Sequence, residues 1–222
     1  MRTQHLNKRP KRERRRKIQA FTLLELIMVC IALFFIAVGL FLFQLSQAKA
    51  VAPRINCVNN LKQIELAFRI WAGDNGDQYP MQTLANRAGL PALTDTNSAW
   101  RYFQVLSNEL TRPGVLSCPS DAGRGYATNF ADDFNNRSLS YFVGLTVRPE
   151  APGLMLAGDR NLAASTLPTN GQLHIGTNET LRWSHDIHKR AGNIAQTDGS
   201  VTQLGSGTPA NRFGGNNWLL FP

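Results

Sequence analysis

The stretch that decides the architecture is FTLLELIMVCIALFFIAVGLFLF, Phe21 to Phe43, in which Glu25 is the only charged residue among 23. As a helix rising about 1.5 Å per residue it would reach roughly 35 Å, enough to cross a hydrocarbon core of about 30 Å. A carboxylate inside that core is costly unless paired or protonated, so Glu25 is a functional candidate by default. The bland alternative is a carboxylate close to the interface that snorkels out of the lipid.

The residues around the run set its expected orientation. The chain has a formal charge of +9, which by itself points to nucleic acid or an anionic membrane. Residues 1–20, however, hold nine Lys or Arg against one acid, Glu13, whereas 21–222 hold 15 basic and 14 acidic residues. The basic character belongs to a tail, and no nucleic-acid partner is expected. Only Lys49 and Arg54 follow the apolar run closely. The positive-inside rule therefore predicts a cytoplasmic N-terminus and a C-terminal domain outside the cytoplasm. A secretory signal has a shorter apolar region with a small-residue cleavage site behind it. SQAKAVA, after the run, matches that pattern poorly.

Beyond Phe43 the pattern narrows to one face. Val51, Ile55, Val58, Leu61, Ile64, Phe68 and Trp71 recur in steps of three and four with polar residues between them, which predicts an amphipathic helix. No turn cluster separates it from the apolar run. One helix from about Phe21 to Ala72 is expected, with Gly39 and Pro53 as points of bending. GDNGDQYP, Gly73 to Pro80, would stop it, with Gly73 as a left-handed cap and Asn75-Gly76 as a turn. A short helix is expected around Trp100 to Leu110. Strands are expected over Ser140–Val147, Leu154–Ala157, Leu173–Ile175 and Asn193–Leu204, the last folded at Asp198-Gly199 by a type I′ turn. The fold class predicted is α+β: a long helix laid on a small antiparallel sheet. Its expected divisions are a basic tail (1–20), an apolar helix (21–50), an amphipathic continuation (51–72) and a globular domain (73–222).

Ala20-Phe21-Thr22-Leu23-Leu24-Glu25-Leu26, with basic residues behind and the apolar run ahead, resembles the N-terminal signature of the type IV pilin and type II secretion pseudopilin family. That resemblance implies a pilin-like fold and a leader, 1–20, removed by a prepilin peptidase between Ala20 and Phe21. It implies methylation of the new α-amine of Phe21 and pairing of Glu25 with the N-terminal amine of a neighbouring subunit. Its implied partners are the peptidase, other pilin or pseudopilin subunits and a bacterial inner-membrane assembly platform. Ala20 departs from the family's usual glycine, which bears on how fast the cut is made. Further strings are similar to a major-pseudopilin-like subgroup: Cys57 to Pro80, LSCPSD (Leu116 to Asp121), SYFVG (Ser140 to Gly144), LAGDRN (Leu156 to Asn161), and His188 with Gly192-Asn193 ahead of Asp198-Gly199-Ser200-Val201. No biochemical role attaches to them. Two rival readings stand: an anchored enzyme or binding domain that shares only the N-terminal pattern, and a minor pilin binding an external ligand such as DNA.

The remaining candidates are weaker. Cys30 suits an apolar run. Cys57 and Cys118 would face an oxidising compartment and are expected as a disulfide, the alternative being two separate buried thiols. Asp74-Asn75-Gly76-Asp77 invites calcium, as in some major pseudopilins. An EF-hand would need an acid at its twelfth position, which here is Ala85, so a turn is the expected role and no cofactor is predicted. His185 and His188 with Asp186 fall short of a zinc set unless Asp159 or His174 joins them, and a structural role is expected. Asp159-Arg160 is read as an ion pair, or as a partner of the hairpin that follows. Asp159, Asp186 and Asp198 could share a site only if the fold gathers them. The chain contains no G-x-S-x-G, phosphate loop or H-E-x-x-H, and no catalytic activity is predicted.

Overall fold

The computed structural model describes residues 22–86, 98–163 and 171–222, with the side chains of 45–52 and 84–86 also set aside. The expected leader and the Ala20-Phe21 cleavage site lie outside the described residues. Two compact units divide the chain, Met1–Gln47 and Ala48–Pro222.

Helix α1 runs Leu23–Asp74, with Pro53 inside it. Its start is built from Thr22 and Glu25. The Thr22 backbone N–H and hydroxyl both donate to Glu25 Oε2 at 3.1 Å, and the Glu25 N–H donates to Thr22 Oγ1 at 3.3 Å. This is a reciprocal capping box, which satisfies donors that a helix N-terminus leaves unpaired. Among the described residues, Leu23–Gln44 is the one helix long and apolar enough to cross a membrane. Its large apolar side chains from Leu23 to Phe43 are 36% to 76% exposed.

The part of α1 in the second unit behaves oppositely. Cys57, Leu61, Ile64, Phe68 and Trp71 are buried, in alternating steps of four and three. The buried stripe is phased from Cys57. Ile55, expected on it, is 48% exposed, because two residues turn a helix by about 200°. Gly73 is helical rather than a left-handed cap; the chain reverses at Gly76 (φ 69°) and Asp77 (φ 53°). The Asp77 N–H closes the end by donating to Ala72 O at 2.9 Å, the i+5 bond of a Schellman motif.

Three short helices follow: α2 (Pro80–Asn86), α3 (Ala99–Gln104) and α4 (Ser107–Leu110). The single helix expected around Trp100–Leu110 is thus two pieces. Antiparallel strands β1 (Tyr141–Gly144), β2 (Met155–Asp159), β4 (Gln172–Ile175), β6 (Ala191–Gln196), β7 (Val201–Gly205) and β9 (Asn217–Leu220) form a sheet ordered β4-β9-β1-β2-β6-β7. Strands β3 (Leu162–Ala163), β5 (Thr180–Trp183) and β8 (Thr208–Pro209) form a smaller one. The sheet structure is larger than the small single sheet expected.

Alternation along β1 shows how the layers are made. Tyr141 and Val143 join a core with the α1 stripe, Phe103 and Leu106, whereas Phe142 joins a second core with Leu181, Trp183, Ile194 and Phe213. Helices thus share one core and the small sheet shares the other. At Gly192 a Cβ would lie 2.0 Å from the Trp183 ring, so only glycine admits this contact between β6 and β5. The β6–β7 connection is a three-residue loop, Thr197-Asp198-Gly199, because Ala195 pairs with Val201 and the Gln196 N–H donates to Ser200 O at 2.9 Å. Of these three, Gly199 alone has positive φ, at 87°. The type I′ turn expected there is replaced by the three-residue form that ends on a left-handed glycine.

Candidate functional site

Two places concentrate chemistry. The first is the start of α1, where Glu25 is the one charge on an exposed apolar helix and is held by Thr22. The two hydrogen bonds to Oε2 orient the carboxylate and reduce the cost of placing it in an apolar setting.

The second lies inside the globular unit and joins residues scattered over more than 130 positions. Cys57, on α1, is disulfide-bonded to Cys118, with Cα atoms 5.4 Å apart and a sequence separation of 61. Both are buried, and closing so long a loop constrains the unfolded chain by about 4 kcal/mol. His188 Nε2 sits 3.5 Å from Cys118 Sγ and 3.4 Å from Asp159 Oδ2. The His188 side chain is 2% exposed and Asp159 is fully buried.

Asp159 reaches this position as the last residue of β2. Its Oδ2 accepts from the Asn193 backbone N–H and side-chain amide, each at 2.8 Å. Its Oδ1 has no hydrogen-bond partner among the described residues. Burial drives the Asp159 carboxyl up to about 7, against the opposing pull of the Asn193 bonds and the Arg54 charge. Burial, and then Arg54, push His188 down to about 4. Burial thus shifts both groups toward their neutral forms. Arg54 hydrogen-bonds Asn193 Oδ1 at 3.4 Å and Leu204 O at 3.3 Å, which ties α1 to the β6–β7 hairpin.

The segment carrying His188 is backbone-strained. His188, Lys189 and Arg190 have φ of 54°, 53° and 65°, three successive non-glycine residues in the left-handed region. Each costs about 1–2 kcal/mol, and such outliers gather at functional sites. Asn161 holds the strained segment closed, its amide donating to Ile187 O at 2.8 Å and to Ser184 O and Ala191 O at 3.1 Å. Beside it opens a cavity of about 420 Å³ lined by Arg54, His185, Asp186, His188 and Lys189.

Several expected groupings do not form. Asp159 and Arg160 do not pair with each other; Asp159 turns to Asn193 of the β6–β7 hairpin, the other partner expected of it. Arg160 instead makes two 2.7 Å hydrogen bonds to Asp121, from Nε to Oδ2 and from Nη2 to Oδ1. Burial raises the Asp121 carboxyl, but Arg160 outweighs it and holds the group below its usual range. Asp159, Asp186 and Asp198 each take a separate partner: Asn193, the Ser184 hydroxyl and the Ser200 N–H. His185 is exposed on a turn, and His174 stacks on Trp218 at 4.7 Å. Asp74–Asp77 terminates α1, as its turn residues imply.

What sequence reasoning missed is the meeting of Cys118 with His188. The signal was present: LSCPSD, LAGDRN and His188 with Gly192-Asn193 supply Cys118, Asp121, Asp159, Arg160, Asn161, His188 and Asn193. All seven lie in or next to this cluster.

No protein-family model matches the chain, and no curated protein or solved structure matches it. Fold and chemistry define an α+β protein whose apolar N-terminal helix is long enough to span a membrane.

Proposed function

We propose that this chain is a pilin-like membrane subunit whose work is assembly into a type II secretion pseudopilus or a type IV pilus-like filament. The observation that carries this reading is Glu25, a single capped carboxylate on a helix whose apolar surface is exposed on all sides. Lipid covers such a surface before assembly, and like helices cover it afterwards. In this reading a prepilin peptidase of a bacterial inner membrane removes 1–20 at Ala20-Phe21, and the amine of Phe21 is methylated. That amine then pairs with Glu25 of a neighbouring subunit. Each buried charge is tolerable only when the other meets it, and one pair per subunit fixes axial register. The basic residues before the run favour a cytoplasmic N-terminus, and the Cys57–Cys118 disulfide suits a globular unit outside the cytoplasm.

The test is intact-mass measurement of the protein from native membranes with an active prepilin peptidase. Loss of residues 1–20 plus one methyl group supports the reading; an untouched N-terminus removes it. The rival, an anchored binding domain, draws on the cavity beside His188. It requires the protein to work with residues 1–20 retained.

A further inference from the structure

The disulfide sulfurs and His188, with Asp159 beside them, form a donor set that filament assembly does not use. The ligand atoms of Cys57, Cys118 and His188 lie within 4.8 Å of one another. With Zn–N of about 2.0 Å and Zn–S of about 2.3 Å, a tetrahedral ion separates a nitrogen and a sulfur ligand by about 3.5 Å. The His188 Nε2 to Cys118 Sγ distance is 3.5 Å, and Nε2 to Asp159 Oδ2 is 3.4 Å. The nitrogen–sulfur edge of a zinc tetrahedron thus already has its length, and Asp159, outside the group of mutually close ligand atoms, stands beside it. The sulfur–sulfur edge does not have its length, because those atoms are bonded. In the dithiol form, rotation about the two side chains would bring it to about 3.8 Å.

We propose that the reduced form of this protein holds one zinc ion on Cys57, Cys118 and His188, with the fourth position left to solvent and the Asp159 carboxylate beside it, and that this site and the disulfide exclude each other. The step balances simply. A dithiol passes two electrons and two protons to the Cys57–Cys118 bond and becomes a disulfide itself; zinc then displaces the two thiol protons. Two thiolates with an imidazole are a borderline-soft set that suits zinc. The surroundings are those of a built site. Asp159 Oδ1 is buried with no hydrogen-bond partner among the described residues, Asn193 orients the same carboxylate, and Asn161 fixes the segment that presents His188. The cavity lined by His188 gives an ion a way in. The proposal is independent of filament assembly.

The experiment uses the full chain in detergent with Cys30→Ser, so that the exposed thiol of the apolar helix does not contribute. The protein is reduced anaerobically with a water-soluble phosphine, which takes up water oxygen as it cleaves the disulfide, and is titrated with cobalt(II). Expected are one equivalent bound, a thiolate-to-cobalt charge-transfer band, the intense visible bands of tetrahedral cobalt, and displacement of both by zinc. His188→Ala should weaken binding roughly tenfold or more, while His185→Ala leaves it unchanged. Equal binding by the oxidised chain, an unaltered spectrum in His188→Ala, or a reduced and folded chain without the charge-transfer band would each overturn the proposal. So would a chain that unfolds on reduction, by circular dichroism, and is not restored by zinc.

Discussion

Two stretches of α1 solve the burial problem in opposite ways. From Leu23 to Phe43 apolar side chains point in every direction and are exposed. From Cys57 to Trp71 apolar residues keep to one stripe, and that stripe is buried. The second stretch finds its partner within the chain, against Phe103, Tyr141 and Leu156. The first stays exposed, and roughly 25 cal/mol of burial is forgone for each Å² of its apolar surface left in water; in the proposed role lipid and then other helices cover it. Periodicity therefore tells where a helix meets its own protein, and its loss tells where it meets something else.

The largest effect expected separates charge from capping in the first stretch. Glu25→Gln keeps a side chain able to complete the capping box with Thr22 but removes the charge. Filament incorporation should be abolished while membrane insertion is unchanged, as read by shearing and fractionation. Normal incorporation would reduce Glu25 to a cap. In the second stretch, Phe68→Ala should cost the globular unit about 3–5 kcal/mol in denaturant unfolding, whereas Phe35→Ala should leave that transition where it is.

Polar burial sharpens the contrast further. Asp121→Asn should destabilise the unit by about 3 kcal/mol at neutral pH, since it leaves the Arg160 guanidinium beside an uncharged partner. Asp121 is held below its ordinary value, so its contribution is present above the unfolded carboxylate pKa and is lost as pH falls. The gap between the two proteins should therefore close in acid. In the unaltered chain the smallest effect comes from Asp159 and His188, whose trends offset each other and which face Arg54, Asp121, Asn193 and Tyr141. Asp159 is raised from 3.8 to about 7, so the folded state holds the extra proton and stability falls as pH rises through that window. His188 is lowered from 6.5 to about 4, so its stability is present above 6.5 and is lost as pH falls toward 4. The two trends oppose each other. His188→Gln should expose a stability that declines from about pH 4 to 7, and Asp159→Asn one that rises from about pH 4 to 6.5, each with a slope of at most about 1.4 kcal/mol per pH unit. Flat profiles in both variants would contradict the burial of these groups.

The α1 pattern was legible because period and length are local properties. Its phase was harder to read: Ile55 is as apolar as its neighbours, while Cys57, which belongs on the stripe, reads as ambiguous until its bridge is seen. Strands β1, β2, β6 and β7 stood out as short apolar runs, but β5, where buried Leu181 and Trp183 alternate with exposed Thr180 and Arg182, was too short to register. The β6–β7 loop was placed correctly and assigned the wrong turn, because Asp-Gly serves both forms and only the pairing register distinguishes them. The Cys118–His188–Asp159 cluster was legible only as separate strings, not as a meeting of side chains. Its members come from three chain segments, and nothing local in CPSD, in Gly158-Asp159-Arg160 or around His188 reveals which side chains will meet.

In the proposed role the apolar stretch of α1 is made to assemble, and Glu25 waits for an amine created by cleavage. Intact-mass spectrometry of the protein purified from native membranes tests it most directly. The expected mass is that of a chain beginning at Phe21 and carrying one added methyl group; a full-length, unmethylated chain beside an active prepilin peptidase would contradict the assembly role.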